Sequence, residues 1–395
     1  MNLLNWLRRK SAAPEGRFRA ALIPFFQSGR PAAWADDPSE QVRHFRHWVF
    51  AAVRTIANRV AATPLCVYRS EGGGLTEITD PAHPALRLFN TVNPFHTRYW
   101  LWSQTITFLE LTGNAYWYVP RNGLGAPAEI WVCPSQGMRV LPDSRDFIAG
   151  YEYTQGGRTV SFGRDEIIHL RLPNPADLYY GQGPLQAAAE TVDSHEAMKC
   201  VQRQLMRRGA WPGGVLESDS RLDDAAISRL RAQMELKYSG ADNAGKWLVL
   251  EAGLKAKQIT LTPSEMAFAE SAQLARDEIL AIFGVPAAVI GLSQDVNRAV
   301  ADAMDTIFAR YCVAPLLQLI TDQINQDLMP RFDPALTVQF ESPVPADRES
   351  QRRMAREDFQ AGLLTRNEAR AEGGYEQVGQ GDRFYVPVNR VPERE

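Results

Sequence analysis

The chain of 395 residues has few cysteines, and the four it has, Cys66, Cys133, Cys200 and Cys312, lie far apart with no C-x-x-C pair. That excludes a disulfide framework and zinc-finger spacing, and it fits a reducing compartment. No uninterrupted apolar run nears the roughly 18 residues of a bilayer span. A basic excess is missing too. The formal net charge is −3, which is not the electrostatic footprint of a protein that grips nucleic acid through a basic face. Lysine is scarce, six against 37 arginines, a mark of a GC-rich genome more than of function. The catalytic signatures G-x-S-x-G and H-E-x-x-H are both absent. His44 and His47 sit one helical turn apart without a third ligand nearby, so neither a metal nor a cofactor is expected.

One motif imitates a phosphate-binding loop. Gly240-Ala241-Asp242-Asn243-Ala244-Gly245-Lys246 has the G-x-x-x-x-G-K spacing. Trp247 follows where Ser or Thr should ligate magnesium. A helical pattern precedes the motif and a strand pattern follows, the reverse of the order that points a helix N-terminus at phosphate. The motif reads as a turn, and the chain as a protein that is not an enzyme.

What is present is an ordinary globular composition, 45% apolar and 23% charged, long enough for two or three domains. Residues 1–36 read as an N-terminal arm, and its short amphipathic start lacks a signal-peptide core. Asp37-Pro38-Ser39-Glu40 opens a helix whose apolar face is Phe45, Val49, Val53, Ile56 and Val60, ended by Thr63-Pro64. Leu65–Tyr68 is a strand, and a second helix runs over about 97–112. Strands are predicted at 114–119, 129–132, 138–141, 150–154, 159–162 and 167–170, largely antiparallel, so the class is α+β.

From Gly183 the pattern turns helical, with a stripe of Leu185, Ala188, Val192, Met198, Val201 and Leu205. A small αβ module follows: strand 214–217, a helix with Ile227, Leu230, Met234 and Tyr238, and strand 247–250. Thr262-Pro263-Ser264-Glu265 is a capping box for a helix bearing Phe268, Ala272, Ala275, Ile279 and Ile282. Gly284-Val285-Pro286 stops it. After a mixed loop, Ala299, Ala303, Ile307, Val313, Leu317, Ile320, Ile324 and Leu328 mark a long helix that Pro315 should kink. Leu336–Phe340 is a last strand, Asp347 caps a charged helix, and Thr365-Arg366-Asn367-Glu368 boxes a short final one.

The order of these segments is more specific than their types. LTPSEMAFAESAQLARDEILAIFGVPAAVIG followed by NRAVADAMDTIFARYCVAPLLQLITDQINQDL resembles the portal proteins of long-tailed double-stranded DNA phages, a family that includes prophage and gene-transfer-particle members. VFAAVRTIANRVAATPLCVYR, HPALRLFNTVNPFHTRYWLWSQ, LTGNAYWYVPRNGLGAPAEIWVCPS, DEIIHLRLP, YGQGPLQAA, GAWPGGVLE, NAGKWLVLEAG and AGLLTRNEAR follow in family order, and GDRFYVPVN closes it. The resemblance spans roughly Val49 to Pro392. One departure is that the family's aromatic–Ser/Thr–Asn start of the long helix is here only Asn297-Arg298.

The resemblance implies a portal fold built as a ring of twelve at one capsid vertex. Residues 37–182 and 299–344 would form the wing, 183–209 and 263–284 the stem helices, 210–262 the clip, 285–298 the tunnel loop and 345–395 a short crown with the C-terminal tail. It implies a virion location, assembly in the bacterial cytoplasm, and double-stranded DNA passing without sequence specificity. Partners would be the major capsid protein, the large terminase subunit and a head–tail adaptor, with no stable membrane association. Gly291, Gln294, Asp295, Asn297 and Arg298 would line the channel, Lys255 and Lys257 would touch phosphates, and Asp223, Asp224, Lys237 and Lys246 would face the clip's partner.

A sizing argument supports this plan. Twelve helices ~10 Å apart set their axes on a circle about 38 Å across, leaving a bore near ~28 Å, enough for a hydrated duplex. Residues 184–283 carry 14 acidic and 12 basic side chains; a near-neutral lining does not trap phosphates as a basic one would. Two other classes compete: a packaging NTPase resting on Gly240–Lys246, and a peripheral membrane protein anchored by Leu3, Leu4, Trp6 and Leu7.

Overall fold

The computed structural model describes residues 34–71, 74–207, 214–218, 227–229, 232, 254–258, 268–292, 298–345 and 348–385. They belong to two compact units, which divide between Glu341 and Ser342.

The first unit begins with a correction. The helix expected to run unbroken from Pro38 is two, α1 (Pro38–Arg43) and α2 (His47–Ala62). Asp37 caps α1 as predicted, its carboxylate accepting from the Ser39 amide. The break lets one carboxylate hold two side chains: His44 Nδ1 lies 3.1 Å from Glu196, and Arg46 donates to it through Nε and Nη2 at 2.8 and 2.6 Å. In a continuous helix, positions two apart point about 200° from each other, so both could not reach Glu196. His47 takes a left-handed φ of +54° at the junction. The rest of α2 buries Val49, Val53, Ile56 and Val60 as the spacing requires.

The strands are antiparallel throughout. β1 (Leu65–Glu71) lies between β2 (Gly74–Glu77) and a strand from the far end of the unit, β11 (Leu336–Phe340), with Leu65 opposite Phe340. β3 (Asn114–Tyr118) sits between β4 (Trp131–Cys133) and β8 (Ile167–Arg171). A third sheet joins β5 (Met138–Asp143), β6 (Phe147–Gln155) and β7 (Arg158–Gly163). All but β2, which was not predicted, match predicted strands to within a few residues. One helix was not predicted, α3 (Pro84–Thr91), which buries Ala85, Leu88 and Phe89. At two turns it is too short for periodicity to stand out.

α4 (Arg98–Thr112) is the central helix, capped by Thr97 and stopped by Gly113 in a left-handed conformation. Its Leu101, Trp102, Ile106 and Leu109 are wholly buried in one core with Ile56, Trp117, Ile168, Phe308, Ile320 and Ile324. Trp117 donates from Nε1 to Thr105 Oγ1 at 2.8 Å, so the indole is buried with its polar handle satisfied.

The helix expected from Gly183 also breaks, into α5 (Pro184–Ala187) and α6 (Ala189–Arg207). In the αβ module, β9 (Gly214–Ser218) pairs with β10 (Leu254–Gln258), a strand not predicted; residues 247–250 lie outside the described residues. The alternation Leu254-Lys255-Ala256-Lys257 was the overlooked signal. α7 (Phe268–Ile282) packs beside α6; its predicted capping box at 262–265 lies outside the described residues.

The long helix runs as α8 (Arg298–Phe308), a π-turn (Ala309–Val313) and α9 (Ala314–Asp327). The predicted kink at Pro315 takes the form of that turn, in which the Ala314 amide donates five residues back to Ala309. Pro315 has no N–H and its ring crowds the carbonyl four residues earlier, so the wider turn removes the clash. On length and composition alone, Ala299–Arg331 is apolar enough to cross a membrane; interrupting polar residues hid this in the sequence. Its Leu317, Ile320, Ile324 and Leu328 are buried in the protein core.

The second unit holds α10 (Arg348–Ala361) and α11 (Arg366–Glu372). The predicted capping box forms: Thr365 Oγ1 accepts from the Glu368 amide, and the Glu368 carboxylate from the Thr365 amide at 2.7 Å. Asp347 lies outside the described residues.

Candidate functional site

The base of the predicted tunnel loop is built from two successive stops of one kind. At the end of α7 the Val285 amide donates to the Leu280 carbonyl at 2.9 Å and Gly284 to Ala281 at 3.0 Å, with Gly284 at φ +67°. The same bonds recur at once: Leu292 to Ala287 at 3.0 Å, Gly291 to Ala288 at 3.1 Å, and Gly291 at φ +76°. This double bond pattern is the Schellman motif, and glycine is favoured at its left-handed position. Val285 is buried, and Val289, Ile290 and Leu292 pack against the core, so the turn is seated. At Gly291 nothing lies within 4 Å of where a side chain would begin, which places it at an open edge. Gln294, Asp295 and Asn297 lie outside the described residues, and Arg298 is described only as the first residue of α8.

Past the loop, α8 and the π-turn carry exposed apolar side chains. Val300 is 42% exposed, Ile307 44% and Tyr311 72%, and seven- and four-residue spacing puts them on one side of the helix. Leu274 on α7 is 70% exposed. α8 is tied back to α2 by the Arg59–Asp305 pair at 2.9 Å.

Beneath the loop base three elements meet. Glu110, inside α4, is buried, and burial pushes its carboxyl up to about 8, so it is protonated at neutral pH. Cys312, in the π-turn, donates from Sγ to the Phe283 carbonyl at 3.4 Å. Burial and then the Glu110 charge push its thiol up to about 12. The missing side chain of Gly284 faces Cys312 at 3.5 Å. Sequence reading overlooked this junction; its signal was a lone carboxylate in the apolar run Phe108-Leu109-Glu110-Leu111.

Two quoted motifs prove to be a lock. A Cβ on Gly113 would stand 2.5 Å from Gly181 and Gly183 backbone, and one on Gly181 2.1 Å from the Gly113 carbonyl. Asn114 completes the joint: its Oδ1 accepts from the Gly181 amide at 2.7 Å and pairs with His169 Nε2 at 3.0 Å. His169 is buried, which holds its pKa well below the ordinary value and leaves it neutral. The glycines of LTGN and YGQG thus fix the start of α5 and α6 against α4.

The two predicted histidines take no metal-like arrangement. His44 stacks on Trp34 and pairs with Glu196. His47 meets His195 edge-on at 6.5 Å, and burial lowers the pKa of both. No group of three or more possible metal ligands occurs among the described residues. Lys255 and Lys257 fall on β10, opposite Glu217 and Val215 in register. Asp223, Asp224, Lys237, Lys246 and the loop at 240–246 lie outside the described residues.

Residues 47–374 match the family described as phage portal protein. The chain is 30% identical over 252 residues to a probable portal protein of Streptomyces phage phiC31, covering 60% of this chain and 53% of that one. Among solved structures it resembles a chain in the virion of a native gene transfer agent particle, with TM-score 0.65 and 29% identity over 93% of this chain and 100% of that one. It also resembles one in the neck of a native particle computed with C12 symmetry, with TM-score 0.63 and 29% identity over 91% of this chain and 99% of the other.

Proposed function

The chain belongs to the phage portal protein family, and from that premise we propose that twelve copies close into a ring at one vertex of a virion or gene transfer particle. Double-stranded DNA enters and leaves through that ring without sequence-specific contacts. The observation that carries this reading is the exposed apolar pair Ile307 and Tyr311, one helical turn apart. Large apolar side chains exposed together on one face of an isolated chain mark an interaction site, and a similar chain sits in a neck computed with twelvefold symmetry. A second copy of this chain covers the pair.

Within the ring, residues 37–182 and 299–344 act as wing, 183–209 and 263–284 as stem, 210–262 as clip, 285–298 as tunnel loop and 345–395 as crown and tail. Gly291, Gln294, Asp295, Asn297 and Arg298 face the channel, and Lys255 and Lys257 touch passing phosphates. Asp223, Asp224, Lys237 and Lys246 face the partner at the clip. The ring assembles in the bacterial cytoplasm and docks the major capsid protein, the large terminase subunit and a head–tail adaptor. Its role is structural.

The test is native mass. A species near twelve times 44.2 kDa with annular particles in negative stain is expected; protein that stays monomeric at high concentration and ignores capsid partners overturns the ring. Gly291→Pro, or deletion of 291–296, is expected to spare the ring and lower packaged DNA; unchanged packaging removes the loop's role.

A further inference from the structure

The second unit contains a cavity of about 280 Å³ between α10 and α11, lined by Arg352, Arg356, Arg366 and Arg370 together with Phe359 and Tyr375. On each helix the two arginines are four apart, where like charges face each other and cost a few tenths of a kcal/mol per pair. Acidic neighbours do not neutralise them: none of the four is in an ion pair among the described residues. Glu368 is committed to the Thr365 capping box. Two of the guanidinium groups are held at backbone carbonyls, Arg370 Nε at Glu376 (2.8 Å) and Arg352 Nη2 at Gly373 (3.5 Å). Arg356 and Arg366 are exposed. Tyr375 is 60% exposed and carries Arg370 over its ring at 5.7 Å.

Four guanidinium forks around one small space call for an anion, and the planar fork matches phosphate oxygens two at a time. The aromatic ring chooses among anions. An acidic peptide has no use for it, whereas single-stranded nucleic acid is bound by cationic grooves that also offer rings for base stacking. The volume suits one nucleotide unit, and a base can stack on Tyr375 only from a strand whose bases are not paired. We propose that this cavity binds a single strand of nucleic acid, with one backbone phosphate among the four arginines and one base against Tyr375. The inference is independent of the ring reading.

The test is arginine footprinting of the full-length protein with phenylglyoxal, read by mass spectrometry, beside anisotropy of a labelled twelve-nucleotide oligothymidylate. At low salt the oligothymidylate is expected to slow modification of Arg356 and Arg366 about threefold or more, and that of exposed Arg158 not at all; inorganic phosphate at equal phosphate concentration protects less. R356Q/R366Q is expected to weaken strand binding about tenfold or more and to flatten the log K against log salt slope by up to about 0.7, the share of the one phosphate held there. Tyr375→Leu should weaken the strand and leave protection by phosphate unchanged. Absence of protection by the strand overturns the proposal, and so does an acidic peptide of matched charge that protects equally well. Wild-type affinity and slope in R356Q/R366Q also overturn it. Because the footprint is taken on the unaltered protein, a variant that fails to fold leaves the test intact.

Discussion

Along α9 and its C-cap, Leu317, Ile320, Ile324 and Leu328 recur at helical spacing and all are buried; Val300 and Ile307 in α8 and Tyr311 in the π-turn also recur at helical spacing and all are exposed. The two halves belong to one stretch of helix, interrupted only by that turn, which resets the phase of the stripe. Hydrophobic spacing therefore reports that a face is apolar and not what covers it. The chain itself covers the α9 face. On α8 the side chains stay exposed, so under the proposed ring the two halves serve different equilibria, folding for one and association for the other.

Four changes break or sharpen that contrast. The largest loss is expected from Ile320→Ala in the buried half, about 4 kcal/mol of folding stability from lost transfer energy and an unfilled cavity. Urea unfolding measures it, and a loss under about 1 kcal/mol would show that α9 is not core. Next is Glu110→Gln, beside the turn that separates the halves. The carboxyl titrates near 4.5 when unfolded and near 8 when folded. The folded state thus holds its proton longer, and stability is full below pH 4.5 and lost as pH rises through 8. At pH 7 the loss relative to pH 4 is about 3 kcal/mol. Glutamine abolishes that slope, and parallel pH profiles for the two proteins would remove Glu110 from the account.

Gly284→Ala is expected to cost about 1–2 kcal/mol, from the left-handed backbone alone, because the new methyl meets Cys312 at ordinary contact distance. The smallest effect on folding belongs to Ile307→Asp, within about 0.5 kcal/mol. On native mass the order reverses: this change leaves the fold and removes the ring, whereas a ring unaffected by it would free α8 from any role in association.

Much of the fold was legible because its signals are local. Asp37 before α1, Thr365 with Glu368, Gly284 after its helix, and the apolar spacing of α2 and α9 are short-range chemistry, and each is found where it was read. What was missed depends on groups distant in sequence. The break at residues 44–46 is set by Glu196, about 150 residues on. The close approach of Gly113 to Gly181 needs both segments in place. Glu110 gains its shifted pKa only from burial by the assembled core. As for the site, Gly291 could be singled out as a turn glycine, while its place in a repeated Schellman motif rests on hydrogen bonds that no spacing encodes.

The pairing of β1 with β11 has a consequence for how the protein is made. Leu65 waits for Phe340, so the first sheet cannot close until residue 340 has been synthesised. At roughly 5–20 residues per second, that interval is on the order of 10–50 s on the ribosome. Contacts this distant in sequence also fold slowly, since loop closure comes before any reward. Through that interval β1 has one unpaired edge, the condition that invites a neighbouring nascent chain to pair with it. The charged outer end of the strand, Arg69 and Glu71, is a safeguard suited to the wait. It also means that no copy of the chain completes its first sheet before its own β11 has been synthesised.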